Sequence, residues 1–130
     1  MPSGFYIQYP QLSRKLNGYA YIDNPRTLAM YQRGETLEDK HWTNIYGGKI
    51  TENIVQGLAS CVIREHMKKI GERYKCVLQV HDEVVAIVPE NDQEEAEKFI
   101  VDVMSTPPDW CRDLPVACEA EIGKSYGDCK

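Results

Sequence analysis

Residues 49–72 carry an apolar repeat that a long helix satisfies. Ile50, Ile54, Leu58 and Val62 recur at every fourth position, and Val55, Ala59, Ile63 and Ile70 widen the stripe. At about 100° per residue, Lys49, Asn53, Gln56, Ser60 and Arg64 fall within about 80° of one another on the opposite face. The period predicts a helix about 35 Å long, preceded by Gly47-Gly48 and ended with the help of Gly71. A chain of 130 residues is one ordinary domain or one piece of a larger one, and folding buries about two-thirds of its unfolded surface. A helix of this length then acts as the spine of the fold.

The segments around it read mostly as β. Cys76–His81 and Glu83–Val88 are β-rich runs on either side of His81-Asp82, closed by Pro89, which predicts a tight hairpin with the His-Asp pair at its bend. Asn91 and Asp92 can cap a second helix, with Glu94 and Glu95 at capping-box distance. Ala96, Phe99, Ile100, Val103 and Met104 form its core face, and Thr106-Pro107-Pro108 stops it. In the front third, Phe5–Tyr9 reads as a strand ending at Pro10, and Tyr19–Ile22 as one ending at Asp23-Asn24-Pro25. A third strand, Thr27–Gln32, is expected to pair with His41–Tyr46 across Arg33–Lys40. Leu114–Ile122 reads as a final strand, and Gly123–Lys130 as a polar tail.

Strand runs and helix runs are segregated, so the expected class is α+β with an antiparallel sheet. The expected divisions are strands and hairpins over 1–46, the long helix over 47–75, the hairpin over 76–89, the second helix over 90–106, and the last strand and tail over 107–130. No repeat, low-complexity segment or Gly/Ser linker interrupts them.

Charge narrows the functional classes. The net charge is −5, which argues against an independent nucleic-acid binder. It is distributed as +1 over residues 1–46, +3 over 47–76 and −9 over 77–130, so only the middle could face phosphates. Apolar runs are too short for a membrane span. Met1-Pro2-Ser3-Gly4 lacks a signal pattern, which predicts a cytoplasmic protein. The five cysteines, at 61, 76, 111, 118 and 129, include no Cys-x-x-Cys pair. Reduced thiols are the reading, and with His41, His66 and His81 scattered, a zinc site is rejected.

Two features can carry chemistry. In Val80-His81-Asp82-Glu83-Val84, ionisable side chains stand between hydrophobic β segments, where acidic residues are disfavoured. An ordinary turn explains them, since Asp is a turn residue. A divalent-cation site explains them as well, because Mg²⁺ takes one or two carboxylates plus phosphates and water. The stripe Lys49–Asn53–Gln56–Ser60–Arg64 is either a solvated face or a nucleic-acid groove, with amides for sugar and base edges and cations for phosphates.

Together these segments resemble a known family. Tyr46-Gly47-Gly48-Lys49-Ile50-Thr51-Glu52-Asn53-Ile54-Val55-Gln56 followed by Leu78-Gln79-Val80-His81-Asp82-Glu83 is similar to the C-terminal palm of family A, DNA polymerase I-like enzymes of bacteriophage flavour. Pro2-Ser3-Gly4 and Gly123-Lys124-Ser125-Tyr126-Gly127 agree with it, so the resemblance spans nearly the whole chain. It implies a palm-type antiparallel sheet in which the hairpin is motif C, and Asp82 is a ligand of the catalytic Mg²⁺ ions. Glu83 assists the site, His81 lies near the primer terminus, and Gln56 contacts the minor-groove side of primer–template. The family has an Asn four residues before that Gln, where this chain has Glu52; Asn53, on the face of Gln56, is the candidate replacement. Lys49 approximates an earlier basic residue, and Arg64 completes the DNA-facing stripe.

The resemblance also implies partners: primer–template DNA, deoxynucleoside triphosphates, and the remaining polymerase domains in the same or a separate chain. Motif A, an Asp-Tyr-Ser-like strand bearing the other metal-binding aspartate, has no counterpart here, nor does the fingers helix. Two-metal phosphoryl transfer needs carboxylates on both sides of the reacting phosphate. The expectation is therefore a C-terminal palm piece of a polymerase, inactive by itself, acting in a bacterial host's cytoplasm if phage-encoded. The competing readings are a non-catalytic protein-interaction module and a His-Asp phosphohydrolase; the latter is set aside because its His-Asp pair belongs on helices.

Overall fold

The computed structural model describes residues 1–16 and 18–129. The class is α+β, with small antiparallel sheets and three α-helices among the described residues. The chain divides into two compact units, one of Met1 and residues 3–57, the other of Pro2 and the residues from Leu58 on.

In the first unit, β1 (Ser13–Lys15), β2 (Gly18–Tyr21) and β3 (Thr43–Ile45) form a sheet in that order. Tyr19 pairs with Ile45 and Tyr21 with Thr43. Ala20, Tyr21 and Ile22 are its buried apolar residues, and the ring of Tyr9 meets that of Tyr21 edge-on at 5.1 Å. Burial holds the Tyr21 phenol above its ordinary pKa.

Two front-end expectations fail. Phe5–Tyr9 is not a strand, and Phe5 and Tyr6 are exposed. Residues read as a third strand belong instead to α1 (Pro25–Gln32). The cause is a helix start that resembles a strand end. Asn24 Oδ1 accepts from the Arg26 and Thr27 backbone N–H groups at 2.8 and 3.5 Å, and Pro25 fits the first turn, where its missing N–H costs nothing. At the other end Gly34, at φ +80°, donates to Tyr31 O, and Glu35 donates to Met30 O, the pair of bonds that closes a Schellman turn. β3 consequently pairs with β2 rather than with residues 27–32.

The long helix α2 (Gly47–Gly71) forms as expected, but its apolar stripe is not uniformly buried. Cys61, Val62, His66 and Ile70 are buried, whereas Ile50, Ile54 and Val55 are exposed, Val55 at 58%. His66 donates from Nε2 to the Thr106 carbonyl at 2.9 Å; the carbonyl can only accept, so that nitrogen carries the proton.

In the second unit, β4 (Lys75–Val80) and β5 (Glu83–Ile87) form the antiparallel hairpin, with an irregularity between Cys76 and Leu78. Ile70, Tyr74 and Ala96 make the buried core, and Cys76, Val84, Ala86, Val88, Phe99, Ile100, Val103 and Met104 pack on it. Helix α3 (Gln93–Met104) supplies Ala96 and the face that sequence spacing identifies. Its expected cap is not made: Asp92 makes no side-chain capping bond and instead accepts from the Tyr74 hydroxyl. That hydrogen bond, with burial second, raises the Tyr74 phenol pKa. Arg73 pairs with Glu95 and lies over the Tyr74 and Phe99 rings.

Leu114–Ile122, the expected final strand, has no assigned strand structure. Its alternation is real: Leu114, Val116, Cys118 and Ala120 are half-buried, while Pro115, Ala117, Glu119 and Glu121 are exposed. Period-two burial reports an extended, half-covered backbone, whereas a strand also needs a paired edge.

Candidate active site

The hairpin turn gathers the three ionisable candidates. Val80 pairs with Glu83, which leaves His81 and Asp82 as the connection. His81 adopts φ +52°, a left-handed conformation natural to glycine in two-residue hairpin turns. Holding a β-carbon there costs about 1–2 kcal/mol. His81→Gly is therefore expected to raise stability by about 0.5–1 kcal/mol, after the added freedom of the unfolded chain. Denaturant unfolding measures it, and an unchanged or lowered midpoint would contradict the strain.

Asp82 and Glu83 are both exposed. The Asp82 carboxylate makes no hydrogen bond or ion pair with any described residue. Glu83 accepts from the Tyr126 hydroxyl at 2.9 Å, and Gln79 Nε2 donates to the His81 carbonyl at 3.3 Å. One exposed carboxylate without a partner among the described residues suits a hard cation that keeps waters and phosphates among its ligands. Among the described residues no group of three or more His, Cys, Asp or Glu forms a cage for a metal. By donor chemistry the turn can offer a hard cation such as Mg²⁺ one carboxylate ligand, not a complete shell.

The helical stripe is tied together by a residue that the sequence reading treated as a departure. Glu52 accepts from Lys49 Nζ at 3.3 Å and from Gln56 Nε2 at 3.4 Å. The Glu52 hydrogen bond holds the Lys49 ammonium above its ordinary pKa. Gln56 remains exposed. Asn53 donates to the Tyr9 hydroxyl at 3.1 Å, so one of its amide donors is already engaged. Lys49, Glu52, Asn53 and Gln56 belong to the first unit; Arg64, His81, Asp82 and Glu83 belong to the second. Tyr126 was visible in sequence only as part of a tail motif, and no spacing rule links it to Glu83.

Comparison with known proteins bears on this arrangement. The model of DNA polymerase family A matches residues 51–128, a span that holds Gln56 and the hairpin but not residues 1–50. The chain is 37% identical over 95 residues to the DNA polymerase of Bacillus phage SP02, covering 69% of this chain and 14% of that protein. It is 35% identical over 81 residues to the thermostable DNA polymerase I of Thermus filiformis, covering 58% and 10% of the two chains. With DNA polymerase I of Borreliella burgdorferi it shares 30% over 83 residues, 58% of this chain and 9% of that one. It thus spans 14% or less of the length of these relatives. No solved structure matches it. No helix among the described residues is long and apolar enough to cross a membrane. By the match over residues 51–128, this chain belongs to DNA polymerase family A.

Proposed function

We propose that this chain is the motif C-bearing palm part of a DNA-directed DNA polymerase, and that Asp82 supplies a carboxylate ligand to the Mg²⁺ ions of nucleotidyl transfer. The observation that carries the reading is the exposed Asp82 carboxylate, without a partner among the described residues, on the strained hairpin turn, inside the segment matched by the family. Bound Mg²⁺ would supply activation of the primer 3′-hydroxyl and neutralisation of charge on the α-phosphate and pyrophosphate. Within the chain, Asp82 holds the cation, Glu83 adds negative potential beside it, and His81 presents its ring toward the primer end. Gln56 offers its amide to the minor-groove edge of primer–template, steadied by Glu52. Lys49 and Asn53 flank Gln56 in the first unit, and Arg64 is a separate phosphate-contact candidate in the second, the two cations being suited to phosphates.

One carboxylate turn cannot clamp both sides of a reacting phosphate, so the isolated chain is inactive and works with further polymerase domains, in the cytoplasm of the cell that houses it. The outer face of the hairpin supports this. Val77, Leu78 and Ile87 are exposed, Ile87 at 61%, and a two-stranded sheet with an uncovered apolar face is marginal alone. A stand-alone protein-interaction module would use the same apolar residues, so activity separates the two readings. Primer extension is expected to be absent with this chain alone and to appear on mixing with a polypeptide that supplies the aspartate strand and fingers. In that mixture Gln56→Ala should mainly weaken extension from mismatched primers. Binding without any extension would favour the interaction module, and unchanged mismatch behaviour would remove Gln56 from the groove.

A further inference from the structure

We infer that Tyr126 is a positioning residue that holds the Glu83 carboxylate in one orientation beside Asp82. This deepens, and rests on, the reading of the hairpin turn as a metal-binding end. The Tyr126 hydroxyl donates to Glu83 Oε2 at 2.9 Å, joining the C-terminal tail to the turn. A hydrogen bond to an ionised acceptor is stronger than a neutral one, and it removes rotamer freedom that Glu83 would otherwise lose when a cation arrives. Preorganised ligands and neighbours are what a tight cation site requires.

The tail is built to aim that phenol. Residues Tyr126–Asp128 form a 3₁₀ turn. Ser125 Oγ donates to Asp128 Oδ2 at 2.7 Å, and the Asp128 and Cys129 N–H groups donate to Ser125 O at 3.0 Å and Tyr126 O at 3.4 Å. Gly123 lets the turn close: a β-carbon there would lie 2.8 Å from both Asp128 Cβ and Cys129 Sγ, nearer than real side chains approach. A tyrosine has only two side-chain torsions, so a fixed backbone leaves its hydroxyl only a few rotameric positions, one of which reaches Glu83. None of these contacts adds core; together they fix the base of one ring that reaches Glu83.

Two measurements test the assignment. In the full 130-residue chain, Tyr126→Phe is expected to speed amide exchange at Val80 and Glu83 about fivefold while leaving Ile70 and Val101 unchanged. No change at the turn, or equal acceleration throughout, overturns it. In a complete polymerase carrying this chain, the same variant should raise the Mg²⁺ concentration for half-maximal extension about fivefold, with the rate at saturating Mg²⁺ kept within about twofold. In a Glu83→Ala background, which lacks the acceptor, it should add no further shift. An unaltered Mg²⁺ response, or an equal additional shift in that background, overturns the positioning role. If Asp82→Ala left extension intact, the polymerase reading of the turn would fail while the exchange result stood. Unaltered exchange with Asp82 essential would remove Tyr126 alone.

Discussion

Asp82→Ala, introduced into a complete polymerase that carries this chain, is expected to lower the rate of primer extension by at least about 10³-fold. Primer–template affinity should stay within about threefold, because duplex binding is dominated by phosphate contacts that the substitution does not touch. The asymmetry follows from the turn. Asp82 has no partner among the described residues, so its removal breaks no bond to any of them and is expected to leave the fold intact. His81 and Glu83 are not expected to take over its place: one offers nitrogen rather than the oxygen a hard cation prefers, and the other starts from β5 rather than from the turn. Single-turnover extension and a gel-shift titration on the same preparation check both halves. Near-normal extension would end the metal assignment, and a loss matched by collapsed DNA binding would recast Asp82 as structural.

Ile70→Ala is the substitution expected to damage the fold most. Ile70 is 0% exposed and sits in the buried core with Tyr74 and Ala96. Truncating it removes buried methyl groups and leaves a cavity, costing about 3 kcal/mol, or about 10 °C in melting temperature for a chain of this size. Val55→Ala is the control from the same helix and the same apolar stripe. At 58% exposed it should change stability by less than about 0.5 kcal/mol, with the better helix propensity of alanine offsetting lost contacts. Thermal and denaturant unfolding of both variants measures the contrast. Equal losses would mean that the N-terminal half of α2 is buried after all.

That contrast shows how far sequence reading reached. Periodicity located α2, α3 and both strands of the hairpin, because apolar spacing is a local property of a chain with one preferred backbone geometry per segment. It could not tell that Ile50, Ile54 and Val55 stay exposed while Val62 and Ile70 are buried, because burial depends on what packs above the helix. Asp23-Asn24-Pro25 ends one strand and starts a helix at the same point. The same letters serve both purposes, and only the Asn24 Oδ1 bonds to Arg26 and Thr27 distinguish them. Leu114–Ile122 alternates as a strand would, yet no strand among the described residues pairs with it. Asp92 was placed correctly as a capping residue by position, but the Tyr74 hydroxyl claims its carboxylate.

The candidate site divides along the same line. Residue order alone settled that His81 and Asp82 occupy a reversal between two β runs, and that Gln56 and Lys49 share one helix face, since both follow from the short-range geometry of strands and helices. Helix spacing likewise brings Glu52 within reach of Lys49 and Gln56, three and four residues away. Tertiary structure decided that Asp82 has no partner among the described residues and that Tyr126 reaches Glu83. Contacts between residues 43 positions apart depend on how whole elements stack, and no local period encodes them.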